Sequence, residues 1–557
     1  MNGGGEDRST ITRGSYLFPV LLSVILTSVH TWPLVLNPAH FSSNDNADAQ
    51  LNEWILAWIA HALPRSPLHL FQANIFYPAS DALAFSEPLI VPGVLGAPVA
   101  WLGGSPVLVF NLMLLAGLAL TVCAGYALMF AWTRDRMAAL LAASTFAFNT
   151  HTLTRLAHTQ AIHLYGLPLA LLVLDRLVTT RRTRGAWLLA ISFIALAYTS
   201  GYLLVLGAVM IGVATLVRAP EWLARSRGFV QRLALAAAVA VVAILPLSLP
   251  YQRAAQEQGM VRSLDAVTEY SASLAGYLAS SGRLHLSTWS GAFFRDPVNS
   301  FFPGIIVAAL AVLALWRAVR SGGTIDSLTR RRTVMLGAIA VTGFVLSLGT
   351  HTPVYGWLYS IFPPMHGLRV AARFGNLFLL GMSCLAGFGL TYVRRGLSTQ
   401  PRSRRYAVLM ASLLVIAAQA EALRAPIAYR RFTGIPRLYT LLAAEPNVVL
   451  AEMPFYPRQG IFENAEYVLN STAHWRPLMN GYSGYTPRSY VKFADTFWFF
   501  PRDYAIDAIR RAGVTHVMVH PERFGRDADD VIKQMETRPD FELMGIGARG
   551  LRLYRLR

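Results

Sequence analysis

The sequence predicts a polytopic α-helical membrane protein with about eleven transmembrane helices, the N-terminus inside, the C-terminus outside, and a C-terminal external α/β domain. Composition is the first ground. Of all residues 54% are hydrophobic and 14% charged, whereas a soluble domain carries about 25% charged residues. Second, apolar runs that approach or exceed the ~20 residues needed to cross a bilayer recur along the chain. Third, the basic residues gather in short loops between those runs, as cytoplasmic loops of multispanning proteins do. This grouping accounts for the net charge of +19 and argues against nucleic-acid binding.

Arg8 and Arg13 precede the first run, residues 16–36, and set its start inside. No small-residue cleavage site stands out and more runs follow, so it reads as a retained span rather than a signal peptide. Residues 37–105 form a long first external loop. Its last part, LIVPGVLGAPVAWLGGSP, is apolar but short and broken by Pro92, Gly93, Gly96 and Pro98, which fits a re-entrant or interfacial segment. Further runs fall at 106–132, 137–150, 161–178, 186–200, 202–217 and 233–250. Loops with Arg134 and Arg136, with Arg181, Arg182 and Arg184, and with Arg218, Arg225, Arg227 and Arg232 come out cytoplasmic. HTLTRLAHTQ, around His158, and the turn from Thr199 to Tyr202 come out external. Residues 251–300 are too polar to span and read as short external helices. Runs at 301–318, 334–350, 374–393 and 407–424 complete the set.

From residue 425 the periodicity changes. VVLAEMP and THVMVHP read as buried strands, DYAIDAIRRAG and DADDVIKQMETR as helices, and FELMG with GLRLYRL as strands that close a small mixed sheet. Residues 1–424 are thus a transmembrane module and 425–557 an external α/β domain of roughly 130 residues, an ordinary single-domain size. Cys123 and Cys384 lie in apolar runs without paired spacing and define neither a disulfide framework nor a metal site.

The chemistry-bearing residues crowd onto the external side. Ser42 to Glu87 holds SSNDNADAQLNEWILAWIAHAL and FYPASDALAFSEPL. With Asn44 or a neighbouring serine as cap, Asp45, Asp48 and Asn52 share one helical face, while Trp54, Trp58 and His61 form a second face suited to a membrane interface. In HGLRVAARF, Arg369 and Arg373 are four apart beside His366; on one helical face, two guanidiniums suit a lipid-linked phosphate. His158 and Gln160 could contact a sugar or phosphate, with His163 beyond them. STAHWRPLMNGYSGY brings His474, Trp475, Asn480, Tyr482 and Tyr485, stacking and amide groups that suit carbohydrate. No P-loop, dinucleotide fingerprint or serine-hydrolase elbow occurs in credible context.

These segments together resemble a bacterial member of the glycosyltransferase C superfamily, multispanning enzymes that use polyprenyl-phosphate-linked sugars. The resemblance rests on an acidic motif in a long first external loop (Asp48 within DAQLNEWILAW), many spans, the RVAARF basic pair and a C-terminal domain on the same side. It implies an enzyme of the bacterial cytoplasmic (inner) membrane, active on the extracytoplasmic face. Such an enzyme moves a hexosyl or pentosyl unit from a polyprenyl-phosphate donor to a glycan, lipid or protein acceptor. Asp48 is then the general base, Asp45 second to it, and Glu87 a helper. Arg369, Arg373 and His158 hold the donor phosphate. Asn52, Gln160, Tyr202, His366, His474, Trp475, Asn480 and Tyr482 are the expected substrate contacts. The carboxylates are spaced rather than adjacent, so a divalent cation is left open and no other cofactor is implied. The competing readings are a lipid or polysaccharide transporter and a non-catalytic glycan-binding scaffold.

Overall fold

The computed structural model describes residues 14–43, 46–223, 226–260, 262–320, 325–397 and 401–557. Arg8, Arg13, Asp45 and Arg225 lie outside the described residues. The helices used below are α1 (Gly14–His30), α2 (Ala47–Ala62), α3 (Ile90–Trp101), α4 (Pro106–Thr133), α5 (Arg136–Ala147), α6 (Gly166–Thr180) and α7 (Thr183–Thr199). They continue as α8 (Gly201–Val217), α9 (Ser226–Gln258), α10 (Ile305–Arg320), α11 (Ser327–Ser347), α12 (Gly375–Leu397) and α13 (Pro401–Ala422). Each apolar run of the sequence is helical along most of its length. Pro106–Thr133, Ser226–Gln258, Ala371–Leu397 and Arg404–Ala422 are long and apolar enough to cross a membrane by length and composition. The remaining runs form shorter or more charged helices. The broken segment after residue 89 folds as the short α3, which packs on α2 and α4.

The α12 helix is the centre of the bundle, packed on α5, α10 and α11. Its small residues allow this: a Cβ on Gly389 would lie 2.1 Å from the Leu310 carbonyl oxygen, so only glycine lets the two backbones come this close. At one end of the bundle the basic loops converge on carboxylates. Arg218 and Arg332 both bind Asp175, Arg218 also binds Glu221, and Arg394 binds Asp135. Loops carrying these arginines therefore share an end, as the charge pattern predicts.

The C-terminal part forms a four-stranded sheet of β1 (Leu450–Met453), β2 (His516–Val519), β3 (Phe541–Ile546) and β4 (Arg552–Leu556) in the order β1-β2-β4-β3. The β1 and β2 strands run parallel, with Leu450 opposite His516, and the other pairs are antiparallel. All four are strands that the sequence predicts. Beyond β1, the segment 477–480 adds a further edge, because Leu450 N donates to Pro477 O at 2.9 Å and Met479 N to Leu450 O at 2.8 Å. The other side of this segment pairs with the first loop. Leu478 N donates to Asn74 O at 2.7 Å, Phe76 N to Asn480 O at 3.1 Å and Tyr77 N to Leu478 O at 3.0 Å. A continuous hydrogen-bonded layer thus runs from the sheet into the loop that follows α2.

The sequence expectations for this region need four corrections. The α2 helix begins at Ala47 with Asn46 as its cap, where the sequence offered Asn44 or a neighbouring serine. Trp54 and Trp58 are 1% and 8% exposed; they are core, not an interfacial face. Trp58 donates to Leu70 O at 2.8 Å, and Trp475 stacks on His61 at 4.4 Å, so Trp475 is packing rather than a substrate platform. Arg369 precedes the 3-10 turn that carries Arg373, so the two share no helical face.

Candidate active site

The site starts from the N-terminal turn of α2. The Asn46 side chain accepts from Asp48 N at 2.9 Å, satisfying one of the helix's open donors and fixing the backbone under Asp48. A carboxylate in a first helical turn is also favoured by the helix dipole. The Asp48 side chain, 40% exposed, is held from both sides. Tyr482 donates its hydroxyl to Oδ1 at 2.8 Å, and His158 Nε2 lies 3.1 Å from Oδ2. Burial alone would raise the Asp48 carboxyl, but His158, Tyr482 and Arg155 outweigh it and hold it at about 2. Asp48 is therefore an anion at neutral pH. Burial, with Arg155 and Arg373, pushes His158 down against the pull of Asp48, which favours a neutral ring donating from Nε2.

Behind His158 lies a small, partly open pocket. His151, Arg155, His158 and Gln160 enter it from the loop between α5 and α6, Tyr202 from the start of α8, and Arg373 and Asn376 from the start of α12. Leu164, Leu203 and Leu206 form its apolar wall. Five buried polar atoms here have no hydrogen-bond partner among the described residues: His151 Nδ1, His158 Nδ1, Gln160 Oε1, Asn376 Oδ1 and Arg373 Nη1, the last ion-paired with Glu87 Oε1 at 3.6 Å. Buried polar groups are nearly always paired, so the four neutral orphans around one pocket point to a polar ligand.

Arg373 lies flat on Tyr202, 3.9 Å from the ring centroid, and 3.6 Å from Glu87 Oε1. Ser200 caps α8 by accepting from Tyr202 N at 3.1 Å, and the Tyr202 hydroxyl accepts from Arg369 N at 3.1 Å and Val370 N at 3.0 Å. The tyrosine thereby ties the start of α8 to the segment that carries Arg373. The Arg155 guanidinium has no hydrogen bond or ion pair among the described residues, and burial together with Arg373 pushes it down to about 10.

The structure brings together Asp48, His158, Gln160, Tyr202, Arg373 and Tyr482, and separates the others. Glu87 faces Arg373 and accepts from Gly201 N at 2.9 Å, so its contacts are with the arginine rather than with Asp48. Asn52 is buried and donates to Asp48 O at 2.6 Å and Ala157 O at 3.1 Å, a strut between α2 and the His158 loop rather than a substrate contact. His158, expected on the donor phosphate, is engaged by Asp48. Arg369 is outside the pocket, over Tyr270 at 5.1 Å. His366 is exposed and bonds Tyr359 O at 3.0 Å. His474 is buried and accepts from Arg476 N at 2.9 Å. Asn480 is fully buried and bonds the Glu452 backbone on both sides, so it holds the sheet edge. His163 bonds Met113 O at 3.0 Å in the core.

Sequence reasoning missed Arg155, His151 and Asn376. Arg155 carried a usable signal, since it lies within HTLTRLAHTQ, an expected external loop, where the positional argument applied to Arg373 holds equally. As to a divalent cation, both Asp48 oxygens are engaged, and no group of three or more His, Cys, Asp or Glu that could hold a metal occurs among the described residues. The donor set does not make a metal cradle.

No family model and no curated protein matches this chain. Solved structures do. The mycobacterial arabinofuranosyltransferase AftD superposes with a TM-score of 0.59 at 17% identity over 98% of this chain, which spans 40% of that protein's length. The Archaeoglobus fulgidus oligosaccharyltransferase in its apo form superposes with a TM-score of 0.53 at 12% identity over 92% of this chain and 70% of its own. The chain has the glycosyltransferase C fold. The same oligosaccharyltransferase, tethered to an acceptor peptide, superposes with a TM-score of 0.50 at 11% identity. In this fold the His158 loop, the start of α8 and the start of α12 meet at one pocket, and Asp48 touches its lining through His158.

Proposed function

We propose that the chain transfers a glycosyl unit from a polyprenyl-phosphate-linked donor to an acceptor hydroxyl on the extracytoplasmic face of a bacterial cytoplasmic membrane. The observation that carries this reading is the Asp48 carboxylate, held by His158 beside a pocket that contains Arg155, Arg373 and four neutral polar atoms without hydrogen-bond partners among the described residues. Arg155 and Arg373 bind the donor phosphate, a role for which planar guanidinium forks are suited. Gln160 Oε1 and Asn376 Oδ1 are acceptors and meet sugar hydroxyls. Leu164, Leu203 and Leu206 run beside the first isoprene units.

In the reaction the acceptor hydroxyl donates to Asp48 Oδ1, where the Tyr482 hydroxyl donates in the resting site. The acceptor oxygen then bonds the anomeric carbon as the bond from that carbon to the phosphate oxygen breaks, and the proton passes to Asp48. The electron pair leaves on the polyprenyl phosphate, whose charge Arg155 and Arg373 stabilise. A single displacement of this kind inverts the anomeric centre. His158 keeps Asp48 oriented and anionic through the approach.

The test is transfer from a polyprenyl-phosphate sugar by purified protein in proteoliposomes. Asp48→Asn and Arg373→Ala, at matched protein levels, should each lose at least about a hundredfold in rate. Wild-type rates in both variants would sink the reading.

A further inference from the structure

On the other side of Asp48 from the phosphate pocket lies a second pair of guanidiniums. Arg262 donates to Gly484 O at 2.8 Å and lies 5.9 Å from the centroid of Tyr485; Arg369 lies 5.1 Å from the centroid of Tyr270. The backbone brings the pair together. Arg262 N donates to His366 O at 3.2 Å, three residues before Arg369, and Ala372 N donates to Tyr270 O at 3.1 Å, three residues after it. The turn that supplies Gly484 and Tyr485 also supplies Tyr482, the partner of Asp48. One short turn therefore links the catalytic carboxylate to this cleft.

Arg253, Arg523 and Arg552 have carboxylate partners in Asp81, Glu466 and Glu536. Neither Arg262 nor Arg369 forms an ion pair among the described residues. The neighbouring Glu269 acts on the Tyr270 hydroxyl instead. Burial and the adjacent Arg369 both push Arg262 down from its ordinary value. Two like charges held close and partly buried, flanked by tyrosine rings, suit a ligand that has a sugar face for the rings and a negative charge for the arginines.

Building on the proposed transfer at Asp48, we infer that the Arg262–Arg369 cleft with Tyr270 and Tyr485 is an acceptor subsite for a glycan bearing an anionic group, a phosphate or a carboxylate. The donor phosphate keeps the Arg155–Arg373 pocket.

The experiment uses the full chain in nanodiscs of zwitterionic lipid and measures binding of a neutral disaccharide, its phosphorylated form and its uronic-acid form. The charged forms should bind at least about tenfold more tightly than the neutral parent. Arg262→Gln with Arg369→Gln should abolish that preference, the double lysine variant should retain part of it, and all variants should bind polyprenyl phosphate as wild type does. The phosphate and carboxylate arms identify which anion is preferred. Equal binding of neutral and charged disaccharides overturns the inference. So does a preference that survives the double glutamine variant, is removed by Arg155→Gln instead, or is lost when anionic lipid is added to the nanodisc, which would make the cleft a lipid-headgroup contact. Failure of wild type to bind polyprenyl phosphate would overturn the donor reading instead, and leaves the disaccharide comparison as it stands.

Discussion

The hydroxyl of Tyr482 donates to Oδ1 of Asp48 at 2.8 Å, joining residues 434 positions apart in the chain. In the proposed reaction an acceptor hydroxyl makes this same bond, which puts Tyr482 in the acceptor's place in the resting site. Tyr482→Phe removes a hydrogen bond to a charged group, an interaction worth about 1.5–3 kcal/mol when buried and less at a partly exposed carboxylate such as this. The variant should keep transfer within about tenfold of wild type and mainly alter the KM for acceptor. A loss as deep as that of Asp48→Asn would instead make the phenol part of the chemistry.

Asp48 gives a second, pH-based prediction. Its folded value, about 2, is below the ordinary 3.8. A depressed carboxylate contributes stability that is fully present above its unfolded value and is lost as pH falls through the folded value. Melting of wild type should therefore fall between about pH 4 and pH 2 more steeply than melting of Asp48→Asn. The acid limb of the rate profile above pH 4 should not belong to Asp48. Identical melting slopes for the two proteins would contradict this.

Arg155 tests the pocket. Arg155→Gln should raise the KM for a polyprenyl-phosphate donor about 10- to 100-fold, the range for one charge-assisted hydrogen bond to phosphate. The KM for acceptor should change little. Initial-rate kinetics with each substrate varied in turn separate the two.

Glu53 has the opposite sign to Asp48. It is fully buried in α2, accepts from Ser42 Oγ at 2.5 Å, and burial pushes it up to about 8 against the effect of that hydroxyl. A carboxyl raised on folding loses stability as pH climbs from its ordinary value and through the folded one. Glu53→Gln should therefore melt several degrees above wild type at pH 9 and match it near pH 4. The reverse ordering would exclude a buried neutral acid.

Asn480 separates structure from substrate binding. Its side chain accepts from Glu452 N at 2.8 Å and donates to Glu452 O at 3.0 Å inside the sheet edge. Asn480→Ala leaves two buried backbone groups unpaired, at about 1–3 kcal/mol each. It should lower the melting temperature while the surviving folded fraction keeps wild-type KM values for both substrates.

Much of the fold was legible in the sequence because its signals are local. Apolar runs mark α1 and α3 to α13, and the short apolar segments VVLAEMP, THVMVHP, FELMG and GLRLYRL mark all four strands of the C-terminal sheet. Asp48 was legible because a carboxylate in a long polar loop beside apolar runs is unusual. Its partners were not, since the contacts of Asp48 with Tyr482 and His158 are made only by tertiary pairing. Arg369 and Arg373 were misread for a related reason. Their spacing of four implies one helical face only where the backbone is α-helical, and Arg369 instead precedes a 3-10 turn. Trp54, Trp58 and Asn480 look like surface carbohydrate or interface residues by type, but their polar atoms find partners inside the protein.

The hydrogen-bonded layer from β1 through 477–480 to 74–77 bears on where this chain can be cut. The last helix of the bundle ends at Ala422 and the chain beyond it looks like a seam, yet the loop that follows α2 takes its backbone partners from residues 476–480. A chain stopped at 424 would leave Asn74, Phe76 and Tyr77 without those partners and Asp48 without Tyr482. Hydrogen bonds thus tie the first loop to the C-terminal sheet, and a cut at the seam breaks both.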